Sequence, residues 1–92
     1  ENIYVFDDGV IRGFIEMNGT QLSKIYVDSF FQSQGVGDAL IRYATEEFGA
    51  DNLWALEKNK RAISFYQNHG FQVTGRKRPE ENTTEYLVKL ER

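Results

Sequence analysis

Gln32-Ser33-Gln34-Gly35-Val36-Gly37 is the stretch whose residue types and spacing are best suited to chemistry. Glycine at positions 35 and 37 lets the backbone turn tightly and approach a ligand with no β-carbon in the way. Helix-like spacing follows, so the turn opens a helix whose first amides lack intrahelical partners and sit at the positive end of its dipole. A phosphate or pyrophosphate is the natural occupant of such a place. Glycine turns also start helices that bind nothing, and the stretch alone leaves both readings open. It is not a Walker-type phosphate loop, because no Gly-Lys-Ser/Thr follows, and it lacks the third glycine of a dinucleotide fingerprint. The sequence has no cysteine and a single histidine, His69. A disulfide framework, a thiolate metal site, a zinc site and the usual thiol nucleophile are therefore excluded.

The elements that must position this turn follow from periodicity. Asn2 to Phe6 and Val10 to Met17 alternate on either side of Asp7-Asp8-Gly9 and read as a hairpin. Asn18-Gly19 is a tight-turn signal, so Gln21 to Phe31 is expected as a third strand paired antiparallel with the second. From Val36 the period changes: Val36, Leu40, Ile41, Tyr43, Ala44 and Phe48 predict an amphipathic helix over 36–48, stopped by Gly49. Leu53 to Leu56 is a short apolar strand. Asn59 then caps a second helix with a buried stripe of Ala62, Ile63, Phe65 and Tyr66, closed by Gly70. Phe71 to Arg78 and Thr84 to Leu90 read as final strands separated by the polar Pro79-Glu80-Glu81-Asn82 connection. A helix between the third and fourth strands suggests a right-handed parallel crossover. The expected class is α/β (α+β), a mixed, mostly antiparallel sheet with two helices.

Two segments then carry a resemblance. Gln-x-x-Gly-x-Gly at 32–37, after the strand containing Ile25-Tyr26-Val27, resembles the pyrophosphate-binding signature of the GNAT family of N-acetyltransferases. The segment from Asn59 through Ala62, Phe65 and Tyr66 to Gly70-Phe71 is similar to the family's Asn-x-x-Ala-x-x-Phe-Tyr-x-x-x-Gly-Phe. Both fall in the family's order at about its spacing, and the resemblance covers almost the whole chain.

The resemblance implies acetyl-CoA as acyl donor, no metal, and an amine acceptor of unstated identity. It implies that Gln32, Gln34, Gly35, Val36, Gly37 and Asp38 surround the pyrophosphate, mostly through main-chain amides. Gln32 and Gln34 stand where the family often carries a basic residue, which places more of the binding on those amides. Tyr26 and Val27 are expected to offer backbone groups to the pantetheine arm, with Leu53 to Leu56 as the facing wall; Val27 also reads as a core valine. Asn59 and Ala62 are implied on the cofactor side, although Asn59 has the competing role of helix cap. Tyr66 matches the family tyrosine that protonates the departing thiolate, a task suited to a phenol whose ordinary pKa is about 10; a core tyrosine is the alternative. Glu16, Asp28 and Glu57 are candidates for a general base, but each reads first as a solvated strand or loop carboxylate, so that role is left unassigned.

The remaining limits come from size and charge. With 92 residues and 40% apolar composition the chain suits one domain, 1–92, with one core. The family usually opens with a strand and two helices before the first hairpin found here, so the domain is expected to be N-terminally incomplete: a fragment, a short member completed by homodimerisation or strand exchange, or a binder without efficient turnover. A net charge of -3 speaks against a nucleic-acid partner. The absence of a long apolar run or leader signature points to a soluble, cytoplasmic protein that does not engage membranes. Lys58, Lys60 and Arg61 fit either a 3′-phosphate or a solvated helix start, and Arg76-Lys77-Arg78 fits either an acidic partner or a solvated strand. An N-acetyltransferase acting by direct attack in a ternary complex is the leading expectation. A regulatory acetyl-CoA-binding module and a structural or partner-binding domain are the alternatives.

Overall fold

Period-two alternation builds three strands, β1 (Asn2–Asp7), β2 (Ile11–Asn18) and β3 (Gln21–Val27). The computed structural model describes residues 2–7, 9–28 and 35–92, and these divide into two units, Glu1–Ala50 and Asp51–Arg92. In the first unit β2 pairs antiparallel with β1 and with β3, aligning Gly13 with Phe6 on one side and Val27 on the other. Gly13, Ile15 and Met17 are buried while Arg12, Phe14 and Glu16 are half-buried, so one face of β2 is core and the other is not. Helix α1 (Val36–Phe48) packs on β2 and β3 and buries Val36, Leu40, Ile41 and Ala44. Its last turn closes on Tyr4, whose ring lies 4.3 Å from Phe48 and 6.2 Å from Tyr43. Gly49 ends the helix by turning its N–H back to the Ala44 carbonyl.

One residue sets how closely helix and strands meet. A β-carbon at Gly13 would press on the Tyr26 carbonyl oxygen, on Leu40 of α1 (3.0 Å) and on the Val27 Cα (3.2 Å). The backbone oxygen cannot swing aside as a side chain can. Gly13→Ala is expected to destabilise the chain by about 1–3 kcal/mol through overpacking, measured as a shift of the urea midpoint with unchanged slope.

In the second unit β4 (Asn52–Leu56) pairs antiparallel with β6 (Tyr86–Glu91), which pairs antiparallel with β5 (Gln72–Pro79). Leu53, Ala55, Val88, Leu90 and Phe71 are buried. Helix α2 (Lys60–Gln67) joins β4 to β5.

Three expectations need correction. The third strand ends at Val27 rather than Phe31: β2 begins at Ile11, so pairing runs out once Asp28 N–H has bonded to the Arg12 carbonyl (2.9 Å). The Phe30-Phe31 part of that expectation lies outside the described residues. The stripe of α2 is half-buried rather than buried at Ala62, Ile63, Phe65 and Tyr66, because two turns of helix present a narrow face. Pro79 closes β5 rather than opening a loop, which a terminal strand position permits since no ladder N–H is required there. No helix among the described residues is long and apolar enough to cross a membrane.

Candidate functional site

The first unit concentrates its candidates at the start of α1. Gly35 is the N-cap, with φ 81° and ψ 2°, a left-handed conformation that favours glycine. The first backbone bond of the helix runs from Ala39 N–H to the Gly35 carbonyl (3.0 Å). The amides of Val36, Gly37 and Asp38 precede it in the first turn, and the N-cap glycine has no side chain with which to bond them. Val36 is buried, Gly37 half-buried and Asp38 exposed, so the turn rests on the core through one side chain. Asp38 faces Arg42 at 3.7 Å, and Arg42 also reaches Glu46 at 3.9 Å. That pairing offsets part of the negative charge Asp38 brings to the helix start. Gln32 and Gln34, expected at the same anion site, lie outside the described residues.

Strand β3 orders its two candidates differently. The Asp28–Arg12 bond fixes which residues of β3 turn their backbone toward β2, and antiparallel alternation then directs Tyr26 N–H and C=O to Phe14 while Val27 directs its own to the opposite edge. The two residues expected to share a backbone role therefore turn their backbone groups to opposite sides of β3. Tyr26 stacks its half-exposed ring on Phe14, with centroids 5.5 Å apart.

In the second unit Asn59, Ala62 and Tyr66 run along α2. The Asn59 side-chain oxygen accepts from Ala62 N–H (3.1 Å), so it is a helix cap and its amide NH2 is what it has left to offer a ligand. Ala62 and Tyr66 are four residues apart and share a face. Tyr66 packs edge-on against Phe65 (5.5 Å) and the buried Phe71 (6.2 Å). Burial raises its phenol pKa above 10 by penalising the phenolate. A group so held keeps its proton at neutral pH and can donate it.

The general-base candidates are placed without being brought together. Glu16 lies opposite Lys24 in the β2–β3 register, Asp28 just beyond β3, and Glu57 meets Lys77 at 2.6 Å. Lys58, considered for a phosphate, is paired with Glu85 at 3.2 Å. Among the described residues no group of three or more metal-ligating side chains occurs. Sequence reasoning passed over Gly13. Its signal was a lone glycine inside a strand, which marks close backbone approach.

The acetyltransferase (GNAT) domain family matches residues 1–73, which takes in both the α1 turn and the α2 segment. The chain belongs to the GNAT family. Among curated relatives, the peptidyl-lysine N-acetyltransferase YjaB of Salmonella typhimurium is 30% identical over 74 residues, covering 80% of this chain and 51% of that protein. The chain thus spans about half the length of this relative. The solution structure of apo YjaB from Escherichia coli superposes with a TM-score of 0.79 at 24% identity, over 95% of this chain and 60% of that one. The PaiA N-acetyltransferase of Thermoplasma acidophilum, solved with coenzyme A, gives a TM-score of 0.67 at 20% identity, over 95% and 57%. The fold is that of GNAT proteins, and the expected mixed, mostly antiparallel class holds.

Proposed function

We propose that this chain is the acetyl-CoA-binding part of an N-acetyltransferase that moves an acetyl group to the side-chain amine of a peptidyl lysine. The start of α1 carries the proposal: a left-handed glycine N-cap, Gly35, opening directly into the first turn of α1 is a geometry that suits a pyrophosphate. Family membership supplies the donor, and the relative named a peptidyl-lysine N-acetyltransferase supports the acceptor.

In this reading the amides of Val36, Gly37 and Asp38 bind the pyrophosphate. The backbone around Val27 meets the pantetheine arm, and a backbone N–H near it steadies negative charge on the thioester oxygen as the neutral amine attacks. A C–N bond forms, the C–S bond breaks with its electron pair going to sulfur, and Tyr66 gives that sulfur its phenolic proton. The amine nitrogen loses its proton to solvent. Asn59 and Ala62 place the α2 face that holds Tyr66. A cytoplasmic location and homodimerisation belong to the same proposal and are read by fractionation and light scattering.

Isothermal titration of the 92-residue chain with acetyl-CoA is the test. The expected result is saturable binding with one donor per chain, followed by addition of one acetyl group to a lysine peptide in mass spectra. A folded chain that binds no acetyl-CoA refutes the reading. Binding without transfer leaves a cofactor-binding module.

A further inference from the structure

The loop between β4 and α2 is held from one side by the β5–β6 hairpin. Glu57 N–H donates to the Tyr86 carbonyl (2.9 Å), one step beyond the last β4–β6 pair, Leu56 with Leu87. Two side chains then diverge with opposite sign. The Glu57 carboxylate meets the Lys77 ammonium of β5 at 2.6 Å, and the Lys58 ammonium meets the Glu85 carboxylate at 3.2 Å. Exchanging partners would set acid against acid and base against base, so the two bridges specify one arrangement of the loop. The next residue is Asn59, whose side chain caps Ala62 N–H and whose carbonyl takes Ile63 N–H (3.1 Å).

The hairpin carries a device aimed at this contact. Register between β5 and β6 shifts between Val73 and Lys77, with Gly75 at φ 88°, and regular pairing resumes at Lys77 opposite Val88. A bulge re-aims the residues that follow it. Here that residue is Lys77, which also lies 5.8 Å from the Tyr86 ring centroid. All eight residues of β5 are exposed, so core packing does not explain the placement of Lys77.

We propose that Lys77 and Glu57 are positioning residues: the β5 bulge presents Lys77 to Glu57, the pair holds the loop in the arrangement that Asn59 needs as a cap, and the direction of α2 and Tyr66 follows. The catalytic half rests on the proposed acetyl transfer. The structural half does not.

Glu57→Gln, Lys77→Met and the double exchange Glu57→Lys with Lys77→Glu separate the two. Amide hydrogen exchange at Ala62 and Ile63 in the free chain should speed up about two- to fivefold in each single variant, as expected for half-exposed pairs, and return toward the parent rate in the double exchange. With acetyl-CoA and a lysine peptide, the single variants should lose about three- to tenfold in kcat, as misplacement of a proton donor predicts, with KM for acetyl-CoA changed less than about twofold. Exchange rates equal to the parent's in Glu57→Gln and Lys77→Met refute the proposal. So does a double exchange no better than the singles. A parent chain that binds no acetyl-CoA counts against the proposed function alone, because the exchange rates still decide whether the clamp exists.

Discussion

Gly35→Asp weakens acetyl-CoA binding by about a hundredfold or more while the chain stays folded, a loss of roughly 3 kcal/mol in binding free energy. The two effects separate because they draw on different features of one position. A β-carbon built at Gly35 meets nothing within 4 Å, so no steric clash opposes the side chain. The cost is conformational: φ 81° is left-handed, where an ordinary residue loses about 1–2 kcal/mol and aspartate tolerates the region better than most. A carboxylate at the N-cap of α1 also recovers about 0.5–2 kcal/mol by accepting from a first-turn amide and opposing the helix dipole. Folding stability therefore changes little. Binding does not escape, because the new carboxylate occupies the amides proposed for the pyrophosphate and repels it by about 1–4 kcal/mol at contact distance, depending on local dielectric. Gly35→Ala has the strain without the charge and should lose about 1 kcal/mol of stability but no more than about tenfold in binding. Calorimetry with thermal melts on both variants measures the four quantities. Parent-like affinity in Gly35→Asp removes the start of α1 from the proposed site.

That feature was also the most legible in the sequence, for a physical reason. Both ends of α1 are glycines in left-handed conformations, Gly35 and Gly49, and a helix bracketed by such residues has few alternative boundaries; 36–48 is where the periodicity placed it. Asn59 was legible as a cap because its side chain needs only its local backbone partner at Ala62. What failed depends on partners far along the chain. The end of β3 is set by the start of β2 at Ile11, and nothing in residues 25–31 themselves reveals where the neighbouring strand begins. The depth of α2 is likewise invisible, since a period gives the direction of a face and not how much of it is covered. That Tyr26 and Val27 turn their backbone to opposite sides of β3 depends on the parity of a hydrogen-bond ladder, which one bond from Asp28 to Arg12 decides. The pairing of Glu57 with Lys77 passed unseen because a bulge at Gly75 shifts the register by an amount no alternation pattern encodes. Sequence thus identified residues with local roles and left their long-range partners open.

Tyr66→Phe lowers kcat by about a hundredfold, the lower end of what a positioned general acid contributes, and leaves KM for acetyl-CoA within about threefold. The ring contacts with Phe65 and Phe71 survive the substitution, so α2 keeps its packing and only the proton is lost. Burial raises the phenol pKa above 10. Two pH signatures follow, and a purely structural tyrosine lacks the first. If Tyr66 is the donor, kcat of the wild-type chain holds across neutral and mildly alkaline pH and falls only as pH climbs through the raised value; the variant has no such limb in kcat. The second concerns stability. The folded state holds this proton more tightly than the unfolded chain, whose phenol titrates near the ordinary value of about 10. The resulting stabilisation is fully present below the unfolded pKa and disappears as pH rises through the folded one. Urea unfolding between about pH 8 and 11 should therefore show an alkaline loss of stability in the wild type that Tyr66→Phe lessens. If the stability curves diverge in this way but kcat is unchanged, the fold holds the phenol's proton but the phenol plays no part in transfer, and the departing sulfur takes its proton from water.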